Sequence, residues 1–384
     1  MNQERKKKII AVNTRLLMPG KLDGIGWFTY ETLKRVTRSH PEVQFLFLFD
    51  RKYSTEVIFG ENVTPFVLWT PTRHPLLWYL WFECRVAAFL RSKKPDMFLS
   101  TDGFLPLHTS TPSVAVIHDI NFEHRPWDLP WLVRRYYRYF FPRFARKATR
   151  IVTVSEFSRR DIINHYDVQE EKVDLAYNGA NDLYRPLSSE RIEEVRKQYT
   201  GGAPYFIFVG SLHPRKNITN LLKAFQLFRE EYRGDYKLVL VGEKFFLTRS
   251  MEEQLEKMNH KKDVIFTGRL APQTLNDLMG AAWAMTFVPY FEGFGIPILE
   301  AMRCDIPVIA SKVTSLPEIA GDAAIFVSPE SPGSIRDGMI RMVKEKGLRQ
   351  KLIEKGRSRR EMFSWDHTAE RLWNSVNMVL EENA

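Results

Sequence analysis

The sequence contains little cysteine and no long apolar run. Its two cysteines, Cys84 and Cys304, match no metal-ligand spacing in 384 residues and suggest no disulfide framework. No stretch reaches the roughly 18 to 20 apolar residues that a membrane-spanning helix needs. The charged start MNQERKKK leads into only the short apolar run IIAV, so we expect no signal peptide. These absences argue against a disulfide scaffold and a membrane-spanning protein, and they favour a reducing cytoplasm.

Several ligand-binding motifs are also absent from the sequence. There is no Gly-x-x-x-x-Gly-Lys-Ser/Thr loop, which argues against a P-loop nucleotide hydrolase. No group of His, Cys, Asp and Glu has metal-ligand spacing. The segment DGFLPL (Asp102–Leu107) contains no Asp-x-Asp motif, so nothing in it suggests a metal-bound diphosphate. We therefore expect no metal site.

The positive charge of the chain is concentrated in its first half. The formal net charge is +10, and residues 1–180 carry 27 Lys and Arg against 19 Asp and Glu, which gives +8. Such a bias indicates an anionic partner, which could be nucleic acid, a membrane surface or a phosphorylated ligand. With 44% hydrophobic residues, the chain is long enough for two packed domains rather than one.

Short apolar runs alternate with amphipathic helical stretches along the whole chain. Runs of this kind are typical of strands buried on both faces of a parallel sheet, and they predict an α/β fold. The predicted strands are Lys8–Val12, Gln44–Phe49, Met97–Ser100, Ser113–Ile117, Arg150–Val154, Tyr205–Gly210, Lys237–Gly242, Val264–Gly268, Ala284–Val288, Pro307–Ala310 and Ala324–Val327.

A segment rich in turn-forming residues, NGANDLYRPLSSE (Asn178–Glu190), separates two such series. It predicts a first Rossmann-like domain at residues 1–185 and a second at 186–364. The amphipathic stretch at 365–384 follows the last strand and predicts a terminal helix. Two α/β domains facing one another would leave a cleft at the carboxyl ends of their parallel sheets, where such sheets bind ligands.

The stretch YFEGFGIPILEAM places two glutamates, Glu292 and Glu300, on either side of a glycine-rich turn. Glycines let the backbone approach a ligand closely, and the amides of a helix start suit a phosphate. Glu292 could accept hydrogen bonds from sugar hydroxyls, and Glu300 from the diol of a ribose. By themselves, both could equally be solvated surface charges.

A second candidate ligand site is the basic pair in FVGSLHPRKNITNLL. A strand ends at Gly210, and Arg215 and Lys216 precede a helix that we expect Asn217 to cap. Two adjacent cations at a helix N-terminus form an anion site, to which the helix dipole adds. The alternative is a solvated basic turn.

Together these motifs resemble the retaining glycosyltransferases of family 4, which have the GT-B fold. The resemblance rests on GSLHPRKN, EGFGIPILEAM and TSLPEIAGDAA, with DGIGWFTYETL, VIHDI, TVSEFSRRDI and NGAND in the expected order. It covers nearly the whole chain. It implies two Rossmann-like domains with parallel sheets facing across a cleft, and a last helix that returns to the first domain.

The resemblance also implies roles for individual residues. It implies that four residues act in catalysis: Arg215, Lys216, Glu292 and His118. It implies that nine contact the donor, and these are Gly24, Gly26, Gly210, Arg269, Leu270, Gly293, Phe294, Gly295 and Glu300. The basic pair would stabilise the leaving diphosphate, Glu292 would contact the sugar, and Glu300 would contact the ribose. On sequence alone, His118 could also be a structural histidine.

The implied reaction is metal-independent transfer of a hexose, with retention of configuration and no cofactor besides the nucleotide-sugar substrate. The closest similarity is to mannosyltransferases of bacterial lipopolysaccharide and capsule synthesis, so we expect mannose from GDP-mannose and a glycan or lipid-linked acceptor. A UDP-sugar donor and a non-hydrolysing sugar-nucleotide epimerase remain alternatives. The N-terminal motif has one glycine, Gly24, where family members often have two, which leaves the donor open.

Two segments of the first half could contact an anionic membrane. RRYYRYFFPRFARKATR (Arg134–Arg150) holds seven basic and six aromatic residues and no acid, and Pro75–Lys94 is apolar with a basic end. We expect Pro142 to kink or end any helix in the first segment, and the second could be a buried helix. A basic nucleic-acid-binding protein is the non-enzyme alternative, although no recognised nucleic-acid motif is present.

Overall fold

The computed structural model describes residues 7–18, 20, 22–243 and 249–382, with the side chain of residue 249 excluded. Residues 1–6 of the charged N-terminal segment lie outside this range. The chain divides into two compact units, one formed by Met1–Asn178 and Ser364–Ala384 and the other by Gly179–Phe363. The first division falls at the start of the turn-rich segment that the sequence indicated.

The first unit contains a parallel sheet of seven strands in the order β3-β2-β1-β4-β5-β6-β7. Its strands are β1 Ile9–Asn13, β2 Gln44–Phe49, β3 Val63–Val67, β4 Met97–Ser100, β5 Ser113–Val116, β6 Arg150–Thr153 and β7 Val173–Leu175. Its helices from the first stretch of chain are α1 Gly24–Ser39, α2 Pro75–Tyr79, α3 Ala87–Lys93, α4 Asn121–His124, α5 Trp131–Lys147 and α6 Glu156–Tyr166. A π-helical segment, Leu80–Val86, joins α2 to α3.

The second unit contains a parallel sheet of six strands in the order β10-β9-β8-β11-β12-β13. Its strands are β8 Tyr205–Val209, β9 Lys237–Val241, β10 Val264–Gly268, β11 Ala284–Phe287, β12 Val308–Ser311 and β13 Ala324–Val327. Its helices are α7 Ser189–Thr200, α8 Ile218–Glu231, α9 Arg249–Glu256, α10 Pro272–Gly280, α11 Ile296–Arg303, α12 Leu316–Ala320, α13 Pro332–Lys344 and α14 Leu348–Arg360.

Both sheets follow the doubly wound Rossmann pattern. Their order reverses between β1 and β4 in the first unit and between β8 and β11 in the second. The central strands are buried on both faces, as the continuous apolar runs predicted, and β8 is buried at all five of its residues. The prediction of two α/β domains with parallel sheets is therefore confirmed.

The last helix, α15 (Trp365–Glu382), packs on the first unit, against α1 and four of its strands. Its buried stripe includes Leu372, Val376 and Val379. The Thr368 hydroxyl also donates to the carbonyl of Tyr177 at 2.5 Å. The apolar face that the sequence showed at 365–384 thus belongs to the core of the first unit.

Three local features differ from the sequence-based expectations. The strands β3 and β7, at the two edges of the first sheet, were not predicted. Helix α5 continues through Pro142, which we expected to kink or end it. Asn217 precedes α8 in a left-handed conformation (φ 62°), and its side chain donates to the carbonyls of Val288 and Pro329 instead of capping the helix.

None of the described helices is both long and apolar enough to pass through a bilayer.

Candidate active site

The two loops that the sequence singled out meet at the switch point of the second sheet. Strands β8 and β11 are neighbours, and the chain leaves their carboxyl ends in opposite directions. Ligands of open α/β sheets bind in the crevice formed at such a point. The segment from Gly210 to Lys216 follows β8, and the segment from Val288 to Gly295 follows β11. The fold therefore brings the basic pair and the glycine-rich turn together.

Glu292 lies between the two cations of the basic pair. Lys216 Nζ donates to Glu292 Oε1, and Arg215 Nη1 lies 3.2 Å from the same oxygen. Lys216 and Glu292 are each only 8% exposed. Arg215 also donates to the carbonyl of Phe291 at 2.7 Å. Three charged groups thus form one cluster with a net charge of +1, a contact that the sequence did not predict.

The glycine-rich turn is held by the segment before α12. The buried Ser315 hydroxyl lies 2.9 Å from the carbonyl oxygen of Glu292 and 3.0 Å from that of Phe294. The Glu292 amide donates to the Thr314 hydroxyl at 3.2 Å. These contacts fix the backbone from Glu292 through Gly293 to Phe294. Ser315 was not among the predicted site residues, and no signal in the sequence indicated its contacts.

Gly295 is the cap residue immediately before α11, and its backbone conformation requires a glycine. Its φ of 100° is left-handed, and a Cβ at this position would lie 2.6 Å from the Leu316 side chain. The turn can therefore enter the helix here only at a residue without a side chain. The amides of the first helical turn then face the carboxyl ends of the strands, as an anion-binding helix start requires.

A second close approach occurs at Gly242, which follows β9. A Cβ on Gly242 (φ 158°) would lie 1.9 Å from the carbonyl oxygen of Gly210. The predicted donor residue Gly210 is thus packed directly against a neighbouring loop. The sequence analysis did not select Gly242, although its place at the end of a predicted strand could have indicated it.

Glu300 lies on α11, apart from the charge cluster, and its partner is Tyr184. The Tyr184 hydroxyl donates to the Glu300 carboxylate. Burial raises the pKa of Glu300 from 4.5 to about 7, and the hydrogen bond from Tyr184 opposes this rise. The Glu300 carboxyl is therefore partly protonated near neutral pH. Its predicted contact with a ribose stays a prediction. No signal in the sequence indicated Tyr184 beyond its place in the turn-rich segment.

Arg269 and Leu270 follow β10 at the edge of the sheet, two strands away from β8. Arg269 is exposed, and its Nη1 lies 3.9 Å from Glu243 Oε1. The structure does not bring these two residues into the cluster around Glu292. Their predicted role in holding the base of the donor remains a prediction.

His118 follows β5 in the first unit and has a defined tautomer. Its Nε2 lies 2.9 Å from the carbonyl oxygen of Thr101. Since a carbonyl can only accept, Nε2 carries the proton. Burial lowers the pKa of His118, so the ring is neutral and Nδ1 is an acceptor. The Phe28 ring packs edge-on to the imidazole at a centroid distance of 4.9 Å.

A buried ion pair lies at the switch point of the first sheet. Arg15 Nε donates to Asp102 at 2.5 Å, and the Asn13 side chain donates to the same carboxylate at 2.8 Å. The Arg15 guanidinium lies 4.2 Å from the centroid of the Phe104 ring. The sequence analysis did not select Arg15 or Asp102, although both come directly after strands that meet at the switch point.

Gly24 and Gly26 lie in the first turn of α1 rather than in a loop before it. Asp23 caps α1, because the Asp23 carboxylate accepts from the Gly26 amide at 2.9 Å. Both glycines thus belong to a helix start, and their predicted contact with a diphosphate stays a prediction.

No group of three or more His, Cys, Asp and Glu suited to a metal ion occurs in the described part of the chain.

Two family models match the chain, one for each unit. Residues 22–182 match the model described as "Glycosyltransferase Family 4", and residues 190–359 match "Glycosyl transferases group 1". The two matched ranges together span most of the sequence.

Two of the curated relatives are named as mannosyltransferases of the O-antigen chain. O-antigen chain mannosyltransferase B of Escherichia coli is 28% identical and aligns over 97% of this chain and 100% of its own. O-antigen chain mannosyltransferase RfbU of Salmonella typhimurium is 26% identical over 74% of this chain and 75% of its own.

Solved structures share the fold at low identity. WaaG, a glycosyltransferase involved in lipopolysaccharide biosynthesis, superposes with a TM-score of 0.73 at 17% identity, over 94% of this chain and 98% of its own. HepE of Anabaena in complex with UDP and glucose gives a TM-score of 0.74 at 17% identity, over 97% and 99%. The two matched models thus assign a Family 4 glycosyltransferase domain to the first unit and a group 1 glycosyltransferase domain to the second, and the two parallel-sheet units share the fold of GT-B glycosyltransferases such as WaaG and HepE.

Proposed function

We propose that this glycosyltransferase moves a mannosyl residue from GDP-mannose to a glycan or lipid-linked acceptor in the synthesis of a cell-surface polysaccharide. The observation that carries this proposal is the end-to-end alignment with O-antigen chain mannosyltransferase B. The retaining course of the reaction and the GDP donor follow from the family resemblance. They are the finer part of the proposal.

The charge cluster is suited to the departure of a diphosphate. As the bond between the anomeric carbon and the phosphate oxygen breaks, negative charge grows on the leaving group. Arg215 and Lys216 already occupy fixed positions, so they stabilise that charge without reorganising. Glu292 holds both cations in place before the donor arrives. We propose that it then accepts from hydroxyls of the transferred sugar.

Retention follows if the acceptor attacks from the face that the diphosphate leaves. The new bond joins the acceptor oxygen to the anomeric carbon. The acceptor's proton passes to the departing phosphate oxygen, so no separate nucleophile on the protein is needed. His118 enters this scheme as a neutral imidazole whose Nδ1 accepts a hydrogen bond from the sugar or the acceptor.

Metal independence is a further part of the proposal, because the two cations supply the positive charge that a metal would otherwise provide. Transfer is expected to continue at an undiminished rate in excess chelator. Loss of activity in chelator that magnesium or manganese restores would contradict it.

The donor is tested by ligand-induced stabilisation, followed by transfer. A ligand that binds only the native state raises the melting temperature, so GDP should raise it more than UDP or ADP at the same concentration. Radiolabelled mannose from GDP-mannose should then appear in an acceptor fraction from a polysaccharide-producing cell. Lys216→Ala is the matched control, because it should remove transfer without unfolding the protein.

A UDP-sugar donor is the second candidate. It is favoured by the fold similarity to HepE, whose structure contains UDP and glucose. Stabilisation by UDP alone, with transfer from UDP-glucose and none from GDP-mannose, would replace the first proposal by this one.

We also propose that the enzyme works in the cytoplasm at the inner face of the cell membrane. Helices α2 and α5 pack side by side, and both carry exposed apolar side chains. Leu76 is 64% exposed, Trp131 62% and Tyr139 52%. Exposed aromatic residues beside arginines are typical of segments that bind anionic membrane interfaces. Sedimentation of the protein with phosphatidylglycerol vesicles, and its absence from phosphatidylcholine vesicles, would support this location.

A further inference from the structure

A strained backbone conformation occurs beside the charge cluster, at Thr314. Five residues other than glycine have a left-handed φ in the described part of the chain, and Thr314 (φ 53°) is the β-branched residue among them. The others are Lys94, Asp167, Asn217 and Asp305. A branched Cβ crowds the backbone in this conformation, so a left-handed threonine is uncommon and must be imposed by its surroundings.

Thr314 lies in a turn that favours glycine. The Leu316 amide donates to the Val313 carbonyl at 3.2 Å, which closes a turn with Thr314 and Ser315 at its centre. Ser315 has a φ of −77° and a ψ of −13°. A positive φ followed by these angles is the pattern of a type II′ turn, whose first central position is dominated by glycine, asparagine and aspartate. Threonine is therefore a poor residue for the backbone at this position.

The side chain of Thr314 supplies a contact that glycine cannot make. Its hydroxyl accepts from the Glu292 amide at 3.2 Å. The hydroxyl of its neighbour Ser315 lies 2.9 Å from the Glu292 carbonyl oxygen. Two adjacent residues of the turn thus hold the amide and the carbonyl of Glu292.

The place of the Glu292 carboxylate depends on this backbone. Its Oε1 meets both cations of the charge cluster, since Lys216 Nζ donates to it and Arg215 Nη1 lies 3.2 Å away. A rotation of the backbone at Glu292 would move this oxygen away from both cations. The Thr314 hydroxyl therefore acts on the charge cluster through the backbone, without touching any of its charged groups.

We infer that Thr314 is a positioning residue for sugar transfer, whose strained backbone is tolerated because its hydroxyl sets the place of Glu292. The inference rests on the proposed contact between Glu292 and the transferred sugar. Strained residues cluster at active sites, where the surrounding structure holds them in place. Stability and turnover should then depend on different features of this side chain. Its branched Cβ lowers stability, and its hydroxyl supports turnover.

Three variants of the full chain separate these two features. Thr314→Val keeps the branched shape without the hydroxyl, Thr314→Ser keeps the hydroxyl without the branch, and Thr314→Gly removes both. Asp167→Gly is the matched control. Asp167 is also left-handed (φ 52°), is exposed, and caps the C-terminus of α6 in the first unit.

The melting temperature measures the strain. Thr314→Gly should melt at least about 2 °C above Thr314→Val, since both lose the hydroxyl and only valine keeps a branched Cβ in the left-handed conformation. Where φ is negative the order is the reverse, because glycine loses the most backbone freedom on folding.

Turnover measures the positioning, with GDP-mannose or with UDP-glucose if that is the donor that the parent uses. Thr314→Val and Thr314→Gly should each lower kcat by at least about tenfold, and Thr314→Ser by less than about threefold, because a small displacement of a group that contacts the reacting sugar is costly. Asp167→Gly should keep the kcat of the parent.

Acetylation of Lys216 by acetic anhydride, followed by peptide mass spectrometry, measures the contact between Glu292 and its cation without any transfer reaction. Loss of the hydroxyl should raise the labelling rate at least about threefold in Thr314→Val and Thr314→Gly, since a lysine released from a carboxylate loses its proton more readily. Thr314→Ser and Asp167→Gly should label like the parent. No transfer by the parent from either donor would refute the proposed function, and the melting and labelling comparisons would still decide whether Thr314 positions Glu292.

Three results would overturn the inference. In the first, Thr314→Val melts as high as Thr314→Gly, which would show that the backbone is not strained. In the second, Thr314→Ser loses as much turnover as Thr314→Val, which would show that the hydroxyl does not matter. In the third, both variants without the hydroxyl keep the kcat and the Lys216 labelling rate of the parent.

Discussion

The half-buried carboxyl of Glu300 should make the stability of the second unit depend on pH. Its pKa in the folded protein is about 7, against an ordinary value of 4.5. The folded state thus binds this proton more tightly than the unfolded state. The stabilising contribution is complete below about pH 4.5 and is lost as pH rises through about 7. One pKa unit corresponds to about 1.4 kcal/mol, so the loss amounts to about 3 kcal/mol.

Glu300→Gln should remove this dependence, because a neutral amide has no proton to lose. Urea unfolding followed by circular dichroism between pH 4.5 and 7.5 measures it. The variant should gain about 3 kcal/mol in free energy of unfolding relative to the parent across that range. The exposed Glu370→Gln is the control and should follow the parent at every pH. A constant difference between Glu300→Gln and the parent would refute the burial argument.

Tyr184→Phe tests the hydrogen bond in the same measurement. The Tyr184 hydroxyl stabilises the charged form of Glu300 and so opposes the rise of its pKa. Its removal should raise that pKa further and move the loss of stability to higher pH. With the true donor, Glu300→Ala should raise KM more than it lowers kcat, because a ribose contact exists in ground state and transition state alike.

Arg215→Ala and Lys216→Ala should each lower kcat by on the order of 100- to 1000-fold in steady-state assays, because a preorganised charge partner of the leaving group is lost; unchanged turnover would remove the pair from catalysis. Gly295→Ala should destabilise the protein by more than Gly347→Ala, since both residues have a left-handed φ but only at Gly295 would the new Cβ meet a side chain. The left-handed strain alone costs about 1–3 kcal/mol. Equal melting temperatures of the two variants would contradict the clash. Ser315→Ala should lower the free energy of unfolding in urea by about 1–2 kcal/mol and weaken donor binding, because two carbonyls of the glycine-rich turn lose their shared hydroxyl. Donor affinity equal to that of the parent would show that the turn keeps its conformation without Ser315.

The central strands could be predicted from sequence because their burial leaves a continuous apolar run. The edge strands could not. β3 contains Pro65, which lowers strand propensity and is tolerated only where one side of the strand lacks a partner. β7 has three residues, which is too short for a periodic signal. The expectation that Pro142 would kink or end a helix was wrong, because the buried Phe141 and Phe144 on either side stabilise α5 through packing.

The residues of the candidate site could be predicted from the sequence, but the contacts between them could not. The motifs located Lys216 and Glu292, and parallel-strand topology placed their loops at one edge of the sheet. The ion pair between them joins positions 76 apart in sequence, and its geometry depends on the path of both loops. The hydrogen bond from Tyr184 to Glu300 likewise joins α11 to the segment that precedes the first strand of that unit. Such contacts are set by tertiary packing, which periodicity does not encode.

The division of the first unit between two distant stretches of chain has a consequence for the order of events during synthesis. The core of that unit includes Leu372 and Val376 of α15, which leave the ribosome only after the entire second unit. At about 5–20 residues per second, the sheet of the first unit waits roughly 10 to 40 seconds for its last helix. During this interval the surface that α15 later covers, including part of α1, is open to solvent. The second unit can fold first, even though it is encoded later than most of its neighbour.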